Sequence, residues 1–269
     1  MARKPEIEGR WAVVTGASSG IGLEFSRALA TKGCNIVAIS NQPKELAETA
    51  QMLQSEFEVE TVTLDLDLTR PDATERVMEL LDSHAIVPLL LINNAGIFDF
   101  RAVERLSPRR LDLYIDLHIR ALTHLSRSVT MLMAERGGSG YILNMSSMSC
   151  WMPMPGIALY SATKAYIRAF SRALRIEVKE LGVSVTVACP GGIATNLFGL
   201  PPKLQRLGVK LHALDTPQRF VKKALRRTLQ GRAQYINGGL NRMAIVAVAS
   251  LPEWARLIIK TRLLDRINQ

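Results

Sequence analysis

The sequence contains few cysteines and no long apolar run. Its three cysteines, Cys34, Cys150 and Cys189, are far apart and fit no metal-ligand spacing. This distribution excludes a disulfide-stapled scaffold, predicts no metal site and favours a reducing compartment. The longest uncharged apolar run near the carboxyl end, Met243–Leu251, stops before Pro252 and is far shorter than the roughly 20 residues of a membrane span. We therefore expect a cytoplasmic protein, either soluble or peripheral at a membrane.

The chain does have the composition of a folded globular protein. Its 269 residues are 48% hydrophobic and 22% charged, which excludes an intrinsically disordered chain. The formal net charge is +10, and residues 201–269 hold 14 Lys and Arg against 3 Asp and Glu. Nucleic acid, anionic lipid and anionic small molecules all bind such charge, but no nucleic-acid recognition motif accompanies it. We predict no nucleic-acid partner and place the excess charge in the last quarter of the chain.

Short β-rich apolar runs alternate along the chain with longer amphipathic stretches. This alternation is typical of a parallel sheet covered by helices on both faces. The predicted strands are 11–15, 34–40, 59–64, 87–92, 140–145 and 183–189, with a short last strand within 232–236. The predicted helices are 20–32, 43–57, 70–83, 107–135, 157–181 and 216–230. The pattern predicts one α/β domain over 1–269, with a substrate lid loop at 191–215 and a helical extension at 240–269.

The first predicted strand runs into a glycine-rich turn, Thr15-Gly16-Ala17-Ser18-Ser19-Gly20-Ile21-Gly22, and then into an amphipathic helix. Glycine lets a backbone turn tightly and approach a pyrophosphate, and a helix amino terminus offers free N–H groups to an anion. A strand-to-helix turn that merely needs glycine is the alternative. The strand–turn–helix context favours a dinucleotide-binding turn.

Four further motifs follow in order: Asn93-Asn94-Ala95-Gly96, Ser147, Tyr160-Ser161-Ala162-Thr163-Lys164 and Pro190-Gly191. With these motifs the chain resembles the short-chain dehydrogenase/reductase superfamily over residues 11–195. The resemblance implies a Rossmann-type, doubly wound parallel sheet in three α/β/α layers. It also implies a homo-oligomer, because the long helices of this superfamily commonly pair between subunits.

Tyr160 and Lys164 are four residues apart, hence on one face of a predicted helix. An ammonium group nearby would lower the pKa of a tyrosine toward the working range, so that Tyr160 exchanges a proton with a carbonyl or alcohol oxygen. Ser147 would hold the same oxygen by a hydrogen bond, and it fits the thirteen-residue spacing to Tyr160 better than Ser146 does. A surface Tyr–Lys pair beside a strand-end serine is the structural alternative.

His118 stands where the superfamily usually has an asparagine on the long helix after Asn93-Asn94-Ala95-Gly96. There the asparagine helps to hold a water that links the lysine to solvent, largely through its main-chain carbonyl. We consider His118 as a catalytic residue that keeps the carbonyl's role or shuttles the proton itself. A histidine packed in the helix interior is the equal alternative.

The resemblance assigns a nicotinamide dinucleotide as cofactor. Asp67, with Asp65 as the alternative, would contact the adenine, Lys164 the nicotinamide ribose, and Thr195 and Ile193 the carboxamide. The second strand ends in Ile39-Ser40-Asn41-Gln42, without the acid that reads a ribose hydroxyl or the arginine that reads a 2′-phosphate. Because no acid would repel a phosphate, we favour NADP(H), with NAD(H) as the alternative. The predicted cofactor contacts are Gly16, Ser18, Ser19, Gly20, Ile21, Gly22, Ser40, Asn41, Asp67, Leu68, Asn94, Ala95, Gly96, Tyr160, Lys164, Pro190, Gly191, Ile193 and Thr195.

The substrate side of the sequence is apolar. The uncharged segment 148–159, which contains Trp151 and three methionines, favours contact with a bulky hydrophobic molecule, although core packing explains part of it equally well. The Leu251-Pro252-Glu253-Trp254 break and the basic amphipathic stretch 255–266 resemble the branch of 3-ketoacyl-CoA reductases and 17β-hydroxysteroid dehydrogenases. Such a tail lies on an anionic bilayer or, alternatively, packs over the pocket or a second subunit.

Two functions are consistent with these patterns. The first is an oxidoreductase that interconverts a ketone and a secondary alcohol on a lipid-like substrate by Tyr-Lys-Ser catalysis. The substrate would be a β-ketoacyl thioester, a steroid or bile acid, or a keto-sphingoid. The second is a dinucleotide-binding protein with weakened catalysis that serves as a membrane- or partner-binding module. Oxidation of NADPH by a hydrophobic ketone discriminates between them.

Overall fold

A computed structural model describes residues 6–211 and 213–264 of the chain. Within these residues seven strands form one parallel sheet in the order β3-β2-β1-β4-β5-β6-β7. The strands are β1 (Trp11–Thr15), β2 (Asn35–Ser40), β3 (Thr61–Asp65), β4 (Pro88–Asn93), β5 (Gly140–Met145), β6 (Val183–Ala188) and β7 (Gln234–Tyr235). Every residue of β2 and β4 is buried, as a strand covered on both faces requires. The predicted doubly wound Rossmann-type α/β sheet is confirmed.

The strand order reverses at β1, which pairs with β2 on one side and with β4 on the other. In such sheets a crevice forms outside the carboxyl ends of the strands at this switch point. Helices cover both faces. They are α1 (Gly20–Ala30), α2 (Pro43–Phe57), α3 (Ala73–Ser83), α4 (Pro108–Ile115), α5 (Leu122–Leu132), α6 (Ala158–Glu177), α7 (Pro202–Lys210), α8 (Pro217–Leu229), α9 (Gly239–Ala249) and α10 (Glu253–Ile259).

The core has one layer on each face of the sheet. One layer includes Phe25 of α1, Leu46 of α2 and Phe220 of α8. The other includes Val77 of α3 and Leu125 of α5. The apolar stripes of the helices therefore meet the sheet from both sides and fix the strand ends that carry the candidate site.

The long predicted helix 107–135 is a single helical run with a change of winding. Ser107 caps α4 by accepting a hydrogen bond from the backbone N–H of Arg110. A π-helical segment, Asp116–Ala121, joins α4 to α5, and a second one, Met133–Gly137, follows α5. π-Helical turns inside α-helices frequently occur at functional sites, and His118 lies in the first of them.

The sequence predicts a loop throughout the segment 191–215, but the structure differs. It contains a short 3-10 turn, Asn196–Phe198, and the nine-residue helix α7. Its two ends are joined by a bridge between Ile193 and Asp215. The extension after β7 is helical as predicted, in α9, α10 and a final turn, Lys260–Leu264, while residues 265 and 266 of the predicted tail lie outside the described part. In the residues that the structure describes, no helix has the length and apolar character needed to cross a bilayer.

Candidate active site

The glycine turn after β1 is built on close backbone contacts. Gly16 and Gly20 have φ angles of +65° and +54°, which L side chains rarely adopt. At Gly22 an added Cβ would lie 2.7 Å from the carbonyl carbon of Gly16 and closer still to its oxygen. Ser19, the residue before α1, forms no capping bond through its side chain, so the first N–H groups of the helix have no side-chain partner. The turn and the helix start thus form an open cradle.

Thr15 fixes this cradle against the turn after β4. Its hydroxyl oxygen accepts hydrogen bonds from the backbone N–H groups of Asn94, at 2.9 Å, and Ala95, at 3.0 Å. The side-chain amide of Asn94 in turn donates to the backbone oxygen of Thr15 at 3.0 Å. Sequence analysis did not predict this positioning role of Thr15, although its place beside the first glycine was a signal.

A small polar network ends β2. The Ser18 and Ser40 hydroxyls are 2.8 Å apart, and Ser18 donates to the side-chain oxygen of Gln42 at 2.8 Å. The backbone N–H of Gln42 donates to Ser40 at 3.2 Å. Asn41 is exposed beside them. The cavity wall here contains neither an acid nor an arginine from the end of the strand, in agreement with the sequence.

Asp67 and Asp65 were alternative adenine contacts. Asp67 lines the cavity, and its Oδ1 accepts from the backbone N–H and the hydroxyl of Thr69 at 2.9 and 2.8 Å. Asp65 ends β3 and does not line the cavity. The geometry therefore favours Asp67.

Tyr160 and Ser147 lie together on the other side of the switch point. Tyr160 is buried on α6, and Ser147 is the second residue after β5. Burial raises the pKa of Tyr160 to about 12, while the nearby Ser147 hydroxyl, which can donate a hydrogen bond to the phenolate oxygen, acts in the opposite direction. The phenol is therefore protonated at neutral pH, and burial, not the lysine that the sequence led us to expect, has the largest effect on its pKa.

Lys164 lies one helical turn beyond Tyr160, with its Nζ 5.5 Å from the centre of the tyrosine ring. Nζ donates a hydrogen bond to the backbone oxygen of Met145 at 3.1 Å. Burial lowers the pKa of Lys164 to about 8. Ser146 is occupied elsewhere, since its hydroxyl donates to the backbone oxygen of Lys164 at 2.7 Å, which supports Ser147 as the serine of the site.

His118 is buried behind these groups, and both of its ring nitrogens are hydrogen-bonded. Nε2 accepts from the backbone N–H of Ile97 at 3.1 Å. Nδ1 lies 2.9 Å from the hydroxyl of Thr163, whose own proton goes to the backbone oxygen of Tyr160. This pattern requires a neutral ring with its proton on Nδ1. Burial and the positive charges of Lys164 and Arg110 hold the pKa of His118 well below its usual value.

We expect His118→Asn to leave turnover unchanged or higher. Because the ring stays neutral and both of its nitrogens are held in hydrogen bonds, it does not take up and release a proton near neutral pH. The pH profile of the wild-type protein should accordingly show no ionisation from His118 between about pH 5.5 and 7.5. The measurement is steady-state turnover over that range, with cofactor affinity as the control. Loss of activity with intact affinity would instead establish a dedicated histidine relay.

One elongated cavity of about 950 Å³ connects these groups. Of the predicted site residues, all except Gly22 and His118 line it. Gly22 packs beneath the cradle against Gly16, and His118 lies behind the wall at Gly96. The structure therefore brings the residues that sequence spacing singled out into one continuous site.

The predicted apolar wall at 148–159 does not line this cavity. Trp151 instead packs against the guanidinium of Arg168, 4.5 Å from the ring centre, and against a buried cluster that includes Ile167. Apolar side chains from other elements take its place: Ile97, Leu113, Leu117 and Leu197. Sequence reasoning also missed Gln42, Arg109, Arg110 and Gln205, which reach the cavity from α4, α7 and the end of β2.

A glycine cradle at the switch point, with serine, tyrosine and lysine side chains beside it, defines a Rossmann-type α/β protein with an oxidoreductase-like site. The model of the short chain dehydrogenase family matches residues 10–201. The chain therefore belongs to the short-chain dehydrogenase family of oxidoreductases.

Similar proteins agree with this assignment. The chain is 32% identical over 250 residues to a very-long-chain 3-oxoacyl-CoA reductase of Bos taurus, a match that covers 91% of this chain and 77% of that protein. A short-chain dehydrogenase from Sphingobium yanoikuyae in complex with NADPH superposes with a TM-score of 0.77 at 27% identity, over 94% of this chain and 96% of that one. L-Sorbose reductase from Gluconobacter frateurii, in complex with NADPH and L-sorbose, gives a TM-score of 0.78 at 25% identity, over 88% and 98%.

Proposed function

We propose that the protein is an NADP(H)-preferring oxidoreductase that interconverts a ketone and a secondary alcohol on a hydrophobic, lipid-like substrate. The observation that carries the proposal is the position of Tyr160, beside Ser147 and one helical turn from Lys164, in the cavity that begins at the glycine cradle. The similarity to 3-oxoacyl-CoA reductases supports an acyl thioester as the substrate.

The residues of the cavity fit a nicotinamide dinucleotide. Gly16 and Gly20 carry no side chain at the cradle, and the uncapped start of α1 offers N–H groups to a diphosphate. Asp67 and Leu68, which we assign to the adenine, and Ile193 and Thr195, which we assign to the carboxamide, line the same cavity. When bound there, the nicotinamide supplies the hydride of the redox step.

Three side chains have the other roles in the reaction: Tyr160, Ser147 and Lys164. The protonated phenol of Tyr160 donates its proton to the carbonyl oxygen of the substrate, or accepts one from an alcohol in the reverse direction. Ser147 holds the same oxygen by a hydrogen bond and so stabilises the charge that develops on it. Lys164, with its pKa lowered to about 8, is charged in most molecules at neutral pH and favours the phenolate that Tyr160 leaves.

The decisive experiment is a screen of hydrophobic ketones and alcohols with both nicotinamide cofactors. We expect NADPH oxidation with a 3-oxoacyl thioester or a bulky apolar ketone. Stoichiometric cofactor binding without turnover of any compound would contradict the proposal. That outcome would favour a catalytically weakened binding module.

Asn41 offers a test of cofactor preference. It is exposed beside Ser40 and Gln42 at the cavity wall, where a carboxylate would repel a 2′-phosphate and accept from a ribose hydroxyl. We expect Asn41→Asp to shift the ratio of kcat/KM for NADPH over NADH toward NADH by about tenfold, because like charges at close range cost roughly that factor. Asn41→Gln, which adds no charge, is the matched control. An equal shift in both variants would contradict phosphate recognition at this position.

The carboxyl-terminal extension supports a peripheral membrane contact. Trp254, Leu257 and Ile258 of α10 are exposed, next to the cations Arg256 and Lys260. Exposed apolar surface beside basic side chains suits an anionic bilayer. We expect salt-sensitive sedimentation with anionic vesicles for the full chain and its loss in a chain ending at Pro252. Equal binding by both chains would remove the extension from this proposal. The expected homo-oligomer and the cytoplasmic location stay predictions.

A further inference from the structure

A second, smaller cavity lies outside the candidate active site. It has a volume of about 300 Å³ and lies between the last two turns of α8, β7 and the start of α9. Four of the side chains that line it are cations, and no acidic residue lines it in the part of the chain that the structure describes. The lining residues are Lys223, Arg226, Arg227, Tyr235, Ile236, Gly238, Gly239 and Arg242. We call this cavity the basic cleft.

The four cations have no carboxylate partners. Within residues 6–211 and 213–264, the ion pairs that form involve none of them. Asp215 acts electrostatically on Tyr235 of the basic cleft, and both of its carboxylate oxygens accept hydrogen bonds from neutral groups. Oδ1 accepts from the backbone N–H of Thr216 at 2.9 Å, and Oδ2 from the side-chain amide of Asn237 at 3.3 Å. In the described residues the four cations therefore outnumber the one carboxylate shown to act on this cleft, and the basic cleft keeps a net positive charge.

Helix dipoles account for only part of this charge. Arg226 and Arg227 lie in the last turn of α8, where the helix dipole favours cations. Arg242 is in the first turn of α9, where the dipole disfavours them, and that turn contains no acid. Lys223 lies three and four residues before the two arginines, a spacing at which like charges repel. An anion between α8 and α9 would offset the unfavourable interaction of Arg242 with the helix dipole. It would also offset the repulsion between Lys223 and the two arginines.

The backbone at the start of α9 also faces the basic cleft. Gly238 precedes the helix with a φ of +71° and, as a glycine, has no side chain that could cap it. An added Cβ at Gly239 would meet nothing within 4 Å, so there is open space beside the start of α9. Phosphoryl oxygens are the ligands that suit a helix start combined with arginine side chains. Three separate features therefore favour a ligand with phosphoryl groups: the start of an eleven-residue helix, the cations and the concave shape.

The basic cleft shares a wall with the candidate active site. Asn237 accepts a hydrogen bond from the backbone N–H of Gly191 at 2.8 Å, and Asn241 packs directly on the same glycine. Gly191 lines the large cavity, whereas Gly238, Gly239 and Arg242 line the basic cleft. A ligand held in the basic cleft is thus next to the segment that bounds the substrate side.

We propose that the basic cleft binds the phosphoryl groups of a ligand with at least two clustered negative charges, through Arg226 and Arg242 and the start of α9. We assign these groups to the head of a coenzyme A thioester, an assignment that rests on the proposed function. The same chemistry is present in an anionic lipid headgroup, so the experiment includes both sources.

The test compares two double variants with equal loss of charge. Arg226→Gln with Arg242→Gln removes cations of the basic cleft, and Arg219→Gln with Lys222→Gln removes exposed cations of α8 that do not line it. Binding of free coenzyme A is measured by calorimetry with NADPH at the lowest concentration that fills the dinucleotide cavity, so that little free dinucleotide competes for the basic cleft. We expect salt-sensitive binding that weakens about tenfold or more in the first variant and stays within about twofold in the second. Pantetheine, which has no phosphate, should not bind.

A second arm identifies the source of the phosphate. Sedimentation with phosphatidylcholine vesicles that contain phosphatidylserine is measured for the same proteins. Selective loss of vesicle binding in the first variant, with coenzyme A unbound by the wild type, would assign the site to a lipid headgroup. Equal behaviour of the two double variants toward both probes would overturn the site.

Reduction of an uncharged hydrophobic ketone separates this proposal from the proposed function. That activity should be the same in the wild type and in both double variants, because no altered residue lines the large cavity. Coenzyme A binding is measured without turnover. Absence of ketone reduction by the wild type would therefore contradict the proposed function and leave the test of the basic cleft intact.

Discussion

Tyr160→Phe should reduce turnover by about 10³-fold, within the range that a positioned general acid contributes. The substitution removes only the hydroxyl, and the ring keeps its edge-on contact with Phe98, whose centre is 5.0 Å away. Dinucleotide affinity should therefore stay close to that of the wild type. The measurement combines steady-state NADPH oxidation with a fluorescence titration of the cofactor.

Tyr166→Phe is the matched control for this variant. Tyr166 lies on the same helix, and its hydroxyl is hydrogen-bonded to Thr123 at 2.9 Å, outside the cavity. Its removal should change turnover by less than about threefold, because only one modest hydrogen bond outside the cavity is lost. If both tyrosine variants lost activity equally, or if Tyr160→Phe kept it, Tyr160 would not be the proton donor.

Gly22→Ala should disrupt both stability and dinucleotide binding. The new Cβ would meet the carbonyl group of Gly16 and, at 2.6 Å, the side-chain amide of Asn94, so the backbone of the cradle has to shift. Overpacking of this kind costs on the order of 1–3 kcal/mol of stability. Because Gly16 shapes the cradle, we expect the affinity for NADPH to fall by at least about tenfold.

Gly239→Ala provides the comparison. Gly239 is also near a helix start, but an added Cβ there meets nothing within 4 Å, and alanine is the better helix former. Thermal unfolding and NADPH titration of the two alanine variants separate a steric effect from a general effect of replacing glycine. A Gly22→Ala protein with wild-type melting temperature and affinity would contradict the close contact at the cradle.

Local spacing was sufficient to predict much of the site. The interval of four between Tyr160 and Lys164 places both on one helix face, and continuous apolar strands predict a sheet covered on both sides. The same sheet then brings residues from distant parts of the chain to one edge, because parallel strands end there together. Ser147 and Asp67 are in the same cavity for this reason.

Features that depend on depth and tertiary packing could not be predicted from the sequence. The pKa of Tyr160 is raised because the phenol is buried, and no local pattern gives that depth. Likewise, Trp151 packs on Arg168, a partner seventeen residues away that its own segment does not indicate. Sequence analysis placed it beside the substrate because an uncharged segment suits a pocket and a core equally well.

Helix α7 was missed for a different reason. Gly208 lies in its interior, where glycine weakens the helical pattern. The structure shows why glycine is there: an added Cβ would lie 2.8 Å from the side chain of Leu214, which folds back over the helix. The proline at the helix start, Pro202, was the signal in favour of a helix.

The bridge between Ile193 and Asp215 has a consequence for how readily this protein tolerates change. Backbone bonds from Ala194 to Asp215, at 3.0 Å, and from Asp215 to Gly192, at 2.9 Å, hold the two ends of the intervening segment together beside the sheet. Once the ends are fixed, the entropy of closing a loop grows only slowly with its length. Insertions or deletions around α7 therefore cost the fold little, and the cavity wall to which Gln205 of α7 contributes can diversify while the groups on the opposite strands stay the same.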